Sequence, residues 1–234
     1  FKNKIMKKRI AIIGAGIGGL TLANLLQKNL DFEVVVYEKE ETLNLEEGFG
    51  LQLAVNSVST LNQIGFNDLN KSEIYNPVKL DFYSNEDKIC DLDLTQFNSE
   101  TKKYTTLKRS TLIKFLKNKL FSNLIRFNKT VEGVEKNQDT LKIKFKDGSY
   151  EEVDYLVVSD GVFSKTKSII EKKNFKPNYY GAVAVRTQIK AKVVSRFKTE
   201  NISIFMSSKA HLVSYPINDR RDINLVCILR KKLN

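Results

Sequence analysis

Three glycines and one acid supply the first chemistry in this chain. Gly14, Gly16 and Gly19 stand in G-x-G-x-x-G spacing within RIAIIGAGIGG, and Glu38 follows a second β-branched run, Val34–Val36, and Tyr37. The first glycine permits a tight turn from strand to helix, the second lets a pyrophosphate approach the backbone, and the third lets helix and strand pack closely. Free N–H groups and the positive end of a helix dipole then hold phosphate, with Gly18 in the same turn. Glu38 lies about 20 residues beyond, where a carboxylate accepts hydrogen bonds from a ribose hydroxyl. Its charge would repel a 2′-phosphate. The turn is therefore expected to take NAD(H) or the ADP half of FAD, and not NADP. Lys39 joins the same cofactor-binding set.

Further candidates lie downstream. Asp160 and Gly161 follow the apolar run Leu156–Val158, in the place where α/β folds put ligands, at the carboxyl end of a parallel strand. Arg109 opens an apparent amphipathic helix, and Gln52 stands in a second glycine-bearing segment, GFGLQLAVNSVSTLNQIG. His211, the only histidine, falls in HLVSYPI. On an extended strand His211, Val213 and Tyr215 share one face, because side chains alternate with period two. An imidazole and a phenol side by side could deprotonate a phenolic substrate and orient it. A lone strand histidine is ordinarily structural, so this role depends on context. Arg186 could pair bidentately with a substrate carboxylate, or be a surface strand residue.

The elements that must position these groups follow from periodicity. LTLANLLQKNL reads as the helix after the glycine turn. Val55, Val58, Leu61 and Ile64 fall at helical spacing, closed by Gly65. VKLDFYSNEDKICDLDL alternates around Ser84–Asp87 as a hairpin. Leu107–Phe121 reads as a helix burying Leu112, Phe115, Leu116 and Leu120. Strands follow through residue 158, with a hairpin turn at Asp147-Gly148. Leu156–Val158 is expected to be a fully buried parallel strand, and Ser164 the cap of the next helix. Beyond Pro177 the alternating strands resume. The texture runs α/β, sheet, α/β, sheet. Two discontinuous domains are therefore expected, one of residues 1–75 and 103–176, the other a sheet of residues 76–102 and 177–234.

Composition bounds the class. The chain has 234 residues, 41% hydrophobic and 10% aromatic, which suits a soluble globular protein. No stretch approaches the roughly 18 apolar residues of a spanning helix, and the basic start lacks a secretory apolar region. Met6 is the expected natural start, with residues 1–5 an upstream remnant. Cys90 and Cys227 stand alone, so neither a disulfide framework nor a metal site is expected, and a reducing cytoplasm is. The net charge of +12 comes from lysines interleaved with acids, without the basic stripe of a nucleic-acid binder. Such a field would draw in anionic cofactors and carboxylate substrates.

In combination and order, GAGIGG with Glu38, the D-G-x-x-S motif of Asp160, Gly161 and Ser164, and Arg109 opening R-x-x-L resemble the FAD-dependent aromatic hydroxylases, the single-component flavoprotein monooxygenases typified by p-hydroxybenzoate hydroxylase. Gly48, Gly50, Leu51, Leu53 and Asn56 match that family's G-x-G-I-x-L-x-x-N segment. Arg186 and the H-x-x-x-Y-P run of His211, Tyr215 and Pro216 are most similar to its salicylate and 3-hydroxybenzoate hydroxylase branch. The resemblance implies a Rossmann-like FAD-binding α/β domain interleaved with an antiparallel substrate sheet. It further implies Arg109 at the FAD pyrophosphate, Gln52 near the flavin, and His211 as the base. By the same resemblance NADH or NADPH reduces the flavin and O2 supplies the oxygen that enters an aromatic, phenol-carboxylate-like ring. Lys167 stands where the family usually has arginine, and lysine lacks the bidentate fork. The family's G-D-A-x-H-x-x-x-P run is absent, so the chain is expected to be the N-terminal portion of such an enzyme. No nucleic-acid or integral-membrane partner is expected, and a homodimer stays open. Two alternatives remain: an NAD-binding Rossmann dehydrogenase, and an inactive fragment that binds FAD weakly.

Overall fold

A computed structural model describes residues 7–46, 48–85, 87–193 and 200–232. The expectations about Met6 and residues 1–5 lie outside the described residues, as does Glu86 of the Ser84–Asp87 turn. In chain order the elements begin with β1 (Lys8–Ile13), α1 (Ile17–Leu26), β2 (Phe32–Tyr37), β3 (Gly50–Leu53) and α2 (Val55–Asn62). Next come β4 (Ile74–Tyr75), β5 (Lys79–Ser84), β6 (Asp87–Asp93), β7 (Thr105–Lys108) and α3 (Arg109–Lys119). Then follow β8 (Ile125–Arg126), β9 (Val131–Asn137), β10 (Thr140–Phe145), β11 (Tyr150–Val153), β12 (Tyr155–Val158) and α4 (Lys165–Glu171). The last four are β13 (Ala182–Lys190), β14 (Ile202–Met206), β15 (Ala210–Ile217) and β16 (Asp222–Arg230).

These elements group into two compact units. One takes the described residues through Leu45 with Ile113–Asn178, and the other takes Glu46–Leu112 with the described residues from Tyr179 onward. The expected boundary gave residues 46–75 and 103–112 to the dinucleotide-binding part, whereas by contacts they belong with the sheet-bearing unit. The reason is hydrogen bonding. β3 and β4 both pair with β7, the Gly50 N–H donates to Asn224, and the Thr106 hydroxyl donates to the Pro216 carbonyl.

In the first unit four parallel strands run in the order β12-β1-β2-β8, beside a three-stranded antiparallel sheet, β11-β10-β9. Ala11, Ile13, Tyr37, Val131, Ile143, Phe145 and Val153 form one buried cluster. Tyr37 and Phe145 lie 4.8 Å apart, centroid to centroid, and burial pushes the Tyr37 phenol up to about 12. β12 corrects an expectation. It is parallel to β1, but it sits at the sheet edge and leaves Tyr155 and Val158 exposed, so its apolar run is only half covered.

α3 begins two residues later than expected. Leu107 and Lys108 belong to β7, where Leu107 is fully buried and pairs with both Leu51 and Ile74. Sheet pairing wins over the helical period there, because only an extended backbone offers hydrogen bonds to strands on both sides. Leu112, Phe115 and Leu116 are buried as expected, and Leu120 is half-buried. One contact had no sequence signal. Asn24, fully buried on α1, donates through Nδ2 to the carbonyls of Leu20 and Leu116, 2.8 Å each. Gln27 reaches the Lys119 carbonyl and accepts the Phe121 N–H. Together they satisfy carbonyls at the end of α3 that have no intrahelical partner.

In the second unit six strands run in the order β13-β16-β15-β14-β5-β6, with β3-β7-β4 as a smaller sheet. The expected all-antiparallel sheet is mixed, since β14 joins β5 in parallel and all its other pairings are antiparallel. Among the described residues no helix is long and apolar enough to cross a membrane.

Asn24→Ala should lower stability by about 2 kcal/mol, because it leaves the buried Leu116 carbonyl without a donor. An unfolding free energy from urea titration lowered by less than about 0.5 kcal/mol would show the Asn24 contacts to be dispensable.

Candidate dinucleotide cradle and sheet face

In the first unit the glycine turn is shaped by close approach. Gly14 has φ of +100° and passes so near β12 that a Cβ would lie 2.6 Å from the Ser159 carbonyl oxygen. A Cβ on Gly19 would collide with the Gly14 carbonyl oxygen and stand 3.3 Å from Ile12 Cγ2. These two glycines pack strand against helix. Gly16 differs, because nothing lies within 4 Å of its missing side chain. That open space is what a pyrophosphate approaching the backbone needs. Gly18 is exposed, 3.2 Å from Ser159 Oγ by the same measure.

The turn presents unspent donors. The Gly14 N–H is taken by the Tyr37 carbonyl at 2.8 Å and the Ala15 N–H by Glu38 Oε2 at 2.8 Å. α1 starts at Gly16 with no side-chain cap and no acid in its first turn among the described residues. Its leading N–H groups therefore face outward, with the positive end of the helix dipole behind them. Glu38 is half-buried, and its Oε1 accepts the Glu40 N–H at 3.1 Å. Held at both oxygens, the carboxylate keeps lone pairs for a ribose hydroxyl. Lys39 turns outward to Glu40, 3.2 Å away, with both side chains about two-thirds exposed. Such a pair contributes little.

Asp160 stands beside this turn, its Cα 2.9 Å from where a Gly14 Cβ would be. Its Oδ2 accepts the Thr166 N–H at 3.3 Å, while Oδ1 is buried without a hydrogen-bond partner among the described residues. A buried carboxylate oxygen left this way is costly unless something donates to it. Gly161 follows with φ of +87° and open space around it. Ser164 caps α4 by accepting the Lys167 N–H at 3.0 Å. Lys167 sits over the Phe175 ring at 4.3 Å. The glycine turn, Glu38 and Asp160 thus form one cradle, and its features fit the ADP portion of a dinucleotide: open space at Gly16, outward N–H groups and an acid with one oxygen unpartnered.

The second unit holds the other candidates. Arg109 begins α3, its N–H donating to the Phe49 carbonyl at 3.0 Å, and a Cβ on Gly48 would lie 3.0 Å from Arg109 Cβ. Gln52 accepts from the Tyr104 hydroxyl at 2.8 Å. On the large sheet the register aligns Gln188, Asn224 and Tyr215 in one row across β13, β16 and β15. Arg186, Val226 and Val213 form the next row, and Ala184, Ile228 and His211 the one after. Cross-strand partners point to the same side, so Arg186, His211 and Tyr215 share a face.

They do not stand side by side. His211 and Tyr215 are four residues apart on one strand, about 13 Å at ~3.3 Å per residue. His211 is exposed and lines a cavity of about 430 Å³ with Tyr180, Lys209 and Arg230. Tyr215 is 4% exposed. Burial pushes its phenol up to about 12, with the nearby Arg186 guanidinium pulling the other way. The phenol therefore keeps its proton at neutral pH. Tyr104 and Asn224 escaped the sequence reading. The signal available for Asn224 was a single amide in the apolar run INLVCILR.

Gly19→Ala should destabilise the protein by more than about 2 kcal/mol through backbone collision. Gly16→Ala should cost no more than about 1 kcal/mol, since the site is open and Gly16 has φ of −76°. Equal urea midpoints for the two variants would contradict these separate roles.

Comparison with known proteins adds family and fold. A family model described as FAD binding domain matches residues 7–234. The 6-hydroxynicotinate 3-monooxygenase of Bordetella bronchiseptica is 26% identical over 224 residues, covering 92% of this chain and 57% of the relative. The 3-amino-4-hydroxybenzoate 2-monooxygenase of Streptomyces cremeus is 24% identical, covering 94% and 56%. The chain thus spans just over half the length of the curated relatives it matches. Among solved structures, 2,6-dihydroxypyridine-3-hydroxylase from Arthrobacter nicotinovorans superposes with a TM-score of 0.82 at 18% identity, covering 98% of this chain and 58% of that one. A salicylate hydroxylase substrate complex gives 0.79 at 18%, covering 97% and 57%. A match along nearly its whole length, on a fold whose glycine turn and acids fit the ADP portion, means that this chain belongs to the FAD binding domain family.

Proposed function

We propose that the chain is the nucleotide-binding and substrate-sheet portion of an FAD-dependent monooxygenase that hydroxylates an aromatic ring bearing a phenol and a carboxylate. One observation carries the reading: curated relatives aligned along 92% and 94% of the chain are named as monooxygenases of hydroxylated aromatic or heteroaromatic acids. In this reading the expected domains keep their roles, one for FAD and one for substrate. NADH or NADPH and O2 are the co-substrates. When bound, FAD supplies the redox chemistry that activates oxygen, and the protein supplies position and electrostatics.

The chain's own residues do the rest. Gly16 and Gly18 hold the pyrophosphate at the start of α1 in the turn that Gly14 and Gly19 shape, Glu38 binds the ribose, and Asp160 and Gly161 bind alongside. Lys39 adds positive charge at the rim. Arg109 and Gln52 serve the remainder of the cofactor. Arg186 pairs with the substrate carboxylate, and Tyr215 donates a hydrogen bond that orients the ring. His211 takes the phenol proton, which makes the ring electron-rich. A reducing cytoplasmic setting suits the two free cysteines, Cys90 and Cys227.

Reconstitution with FAD tests the reading. The chain should acquire flavin absorption bands, and Gly16→Ala should weaken FAD binding by at least about tenfold, or 1.4 kcal/mol. A chain that takes up no flavin would sink the proposal. In a flavin-loaded protein that oxidises NAD(P)H with an aromatic acid, Arg186→Gln should raise KM about tenfold for carboxylate substrates while kcat changes little. Equal effects on substrates lacking a carboxylate would remove Arg186 from that role.

A further inference from the structure

Asn224 is fully buried near the start of β16, and Tyr215 is its direct cross-strand partner. Its Oδ1 accepts the Gly50 N–H at 2.6 Å, a bond buried from solvent. An N–H can only meet an acceptor, so this bond settles the orientation of the amide. Nδ2 must then point the other way. It is buried, with no hydrogen-bond partner of ordinary geometry among the described residues. A buried amide donor left unsatisfied costs about 1–3 kcal/mol, which favours a neighbouring acceptor.

The packing brings the Tyr215 ring beside it. A Cβ on Gly50 would lie 2.8 Å from Asn224 Cβ, 2.8 Å from Asn224 Cγ and 2.8 Å from Tyr215 Cε2. Three residues from three strands are therefore pressed together, and only a glycine at position 50 allows it. Oδ1 is committed to Gly50, which leaves the buried Nδ2 as the atom of Asn224 able to turn toward the Tyr215 phenol.

We propose that Asn224 is a positioning residue for Tyr215: Nδ2 donates to the phenol oxygen, so the phenol's own proton is aimed at the open face that carries Arg186. The hydrogen bond tightens when a ligand engages the phenol, as such bonds commonly do on binding. Tyr215 is thereby set as a donor to an anionic oxygen of an aromatic acid, next to the guanidinium that would pair with the carboxylate. The ligand part of this inference rests on the aromatic-acid reading above, whereas the Asn224–Tyr215 contact does not.

Two measurements test it. In the ¹⁵N-labelled chain, the side-chain amide signals of Asn224, assigned by their loss in Asn224→Asp, should shift in Tyr215→Phe. Signals that stay in place overturn the contact. In the FAD-loaded chain with salicylate as the probe, Asn224→Asp keeps an oxygen for Gly50 but loses the donor. Its Kd should rise about tenfold, with no further loss when Asn224→Asp is added to Tyr215→Phe. Additive losses would mean that Asn224 acts through charge or fold, and would overturn the positioning role. If the unaltered chain fails to bind salicylate, the aromatic-acid reading fails, while the amide signals still decide the role of Asn224.

Discussion

The close approach of backbone to backbone at the first glycine turn governs the first unit. Gly14 sits between two strands at once: its N–H is bonded to the end of β2, and its Cα is pressed against the chain leaving β12. Gly19 then brings α1 down onto the Gly14 carbonyl. With no side chain to spare at these points, the start of α1 has nothing of its own to cap it, and its N–H groups are turned outward. The packing requirement and the outward-turned donors have the same cause. Asp160 lies beside the turn because β12 is drawn against β1, and its unpartnered oxygen is a consequence of that placement.

The second unit repeats the device with different partners. Gly50 lets a short strand lie on the face of the large sheet, and the contact is closed by a buried amide and a buried phenol. Thr106, likewise buried, donates to the Pro216 carbonyl in the same region. Such groups add modest net stability when satisfied but cost a great deal when orphaned, so they specify one arrangement among many of similar apolar burial. The numerous ion pairs between exposed lysines and acids, such as Lys144 with Glu135, are of another kind. Solvent screens them, and they set charge more than shape.

Much of this was legible from residue types. The glycine turn, α1, α2, the hairpin at Asp147-Gly148 and the alternating strands follow from periods and turn chemistry acting over a few residues. Local rules failed where a distant strand outbid them. Leu107 reads as helical, yet it is extended because β3 and β4 both offer it hydrogen bonds. β12 reads as a strand covered on both faces, yet it lies at an edge, since an apolar run reports composition and not how many neighbours a strand finds. His211 and Tyr215 share a face, as alternation requires, but alternation does not bring together residues four apart on one strand.

By itself the sequence determined the chemistry available to the chain: a glycine turn with open donors, an acid at the end of the second strand, a D-G motif, and one imidazole and one phenol on a common face. Those follow from side-chain identity and from spacing along the chain, where φ preferences and strand alternation act. Only the tertiary structure decided which of these groups meet. It set Asp160 against Gly14 across 146 positions of sequence, and it buried Tyr215 beside Asn224 and Gly50 while leaving His211 exposed. The reason is that burial and cross-strand register arise from contacts distant in sequence, and those contacts set how a phenol titrates and where a donor points.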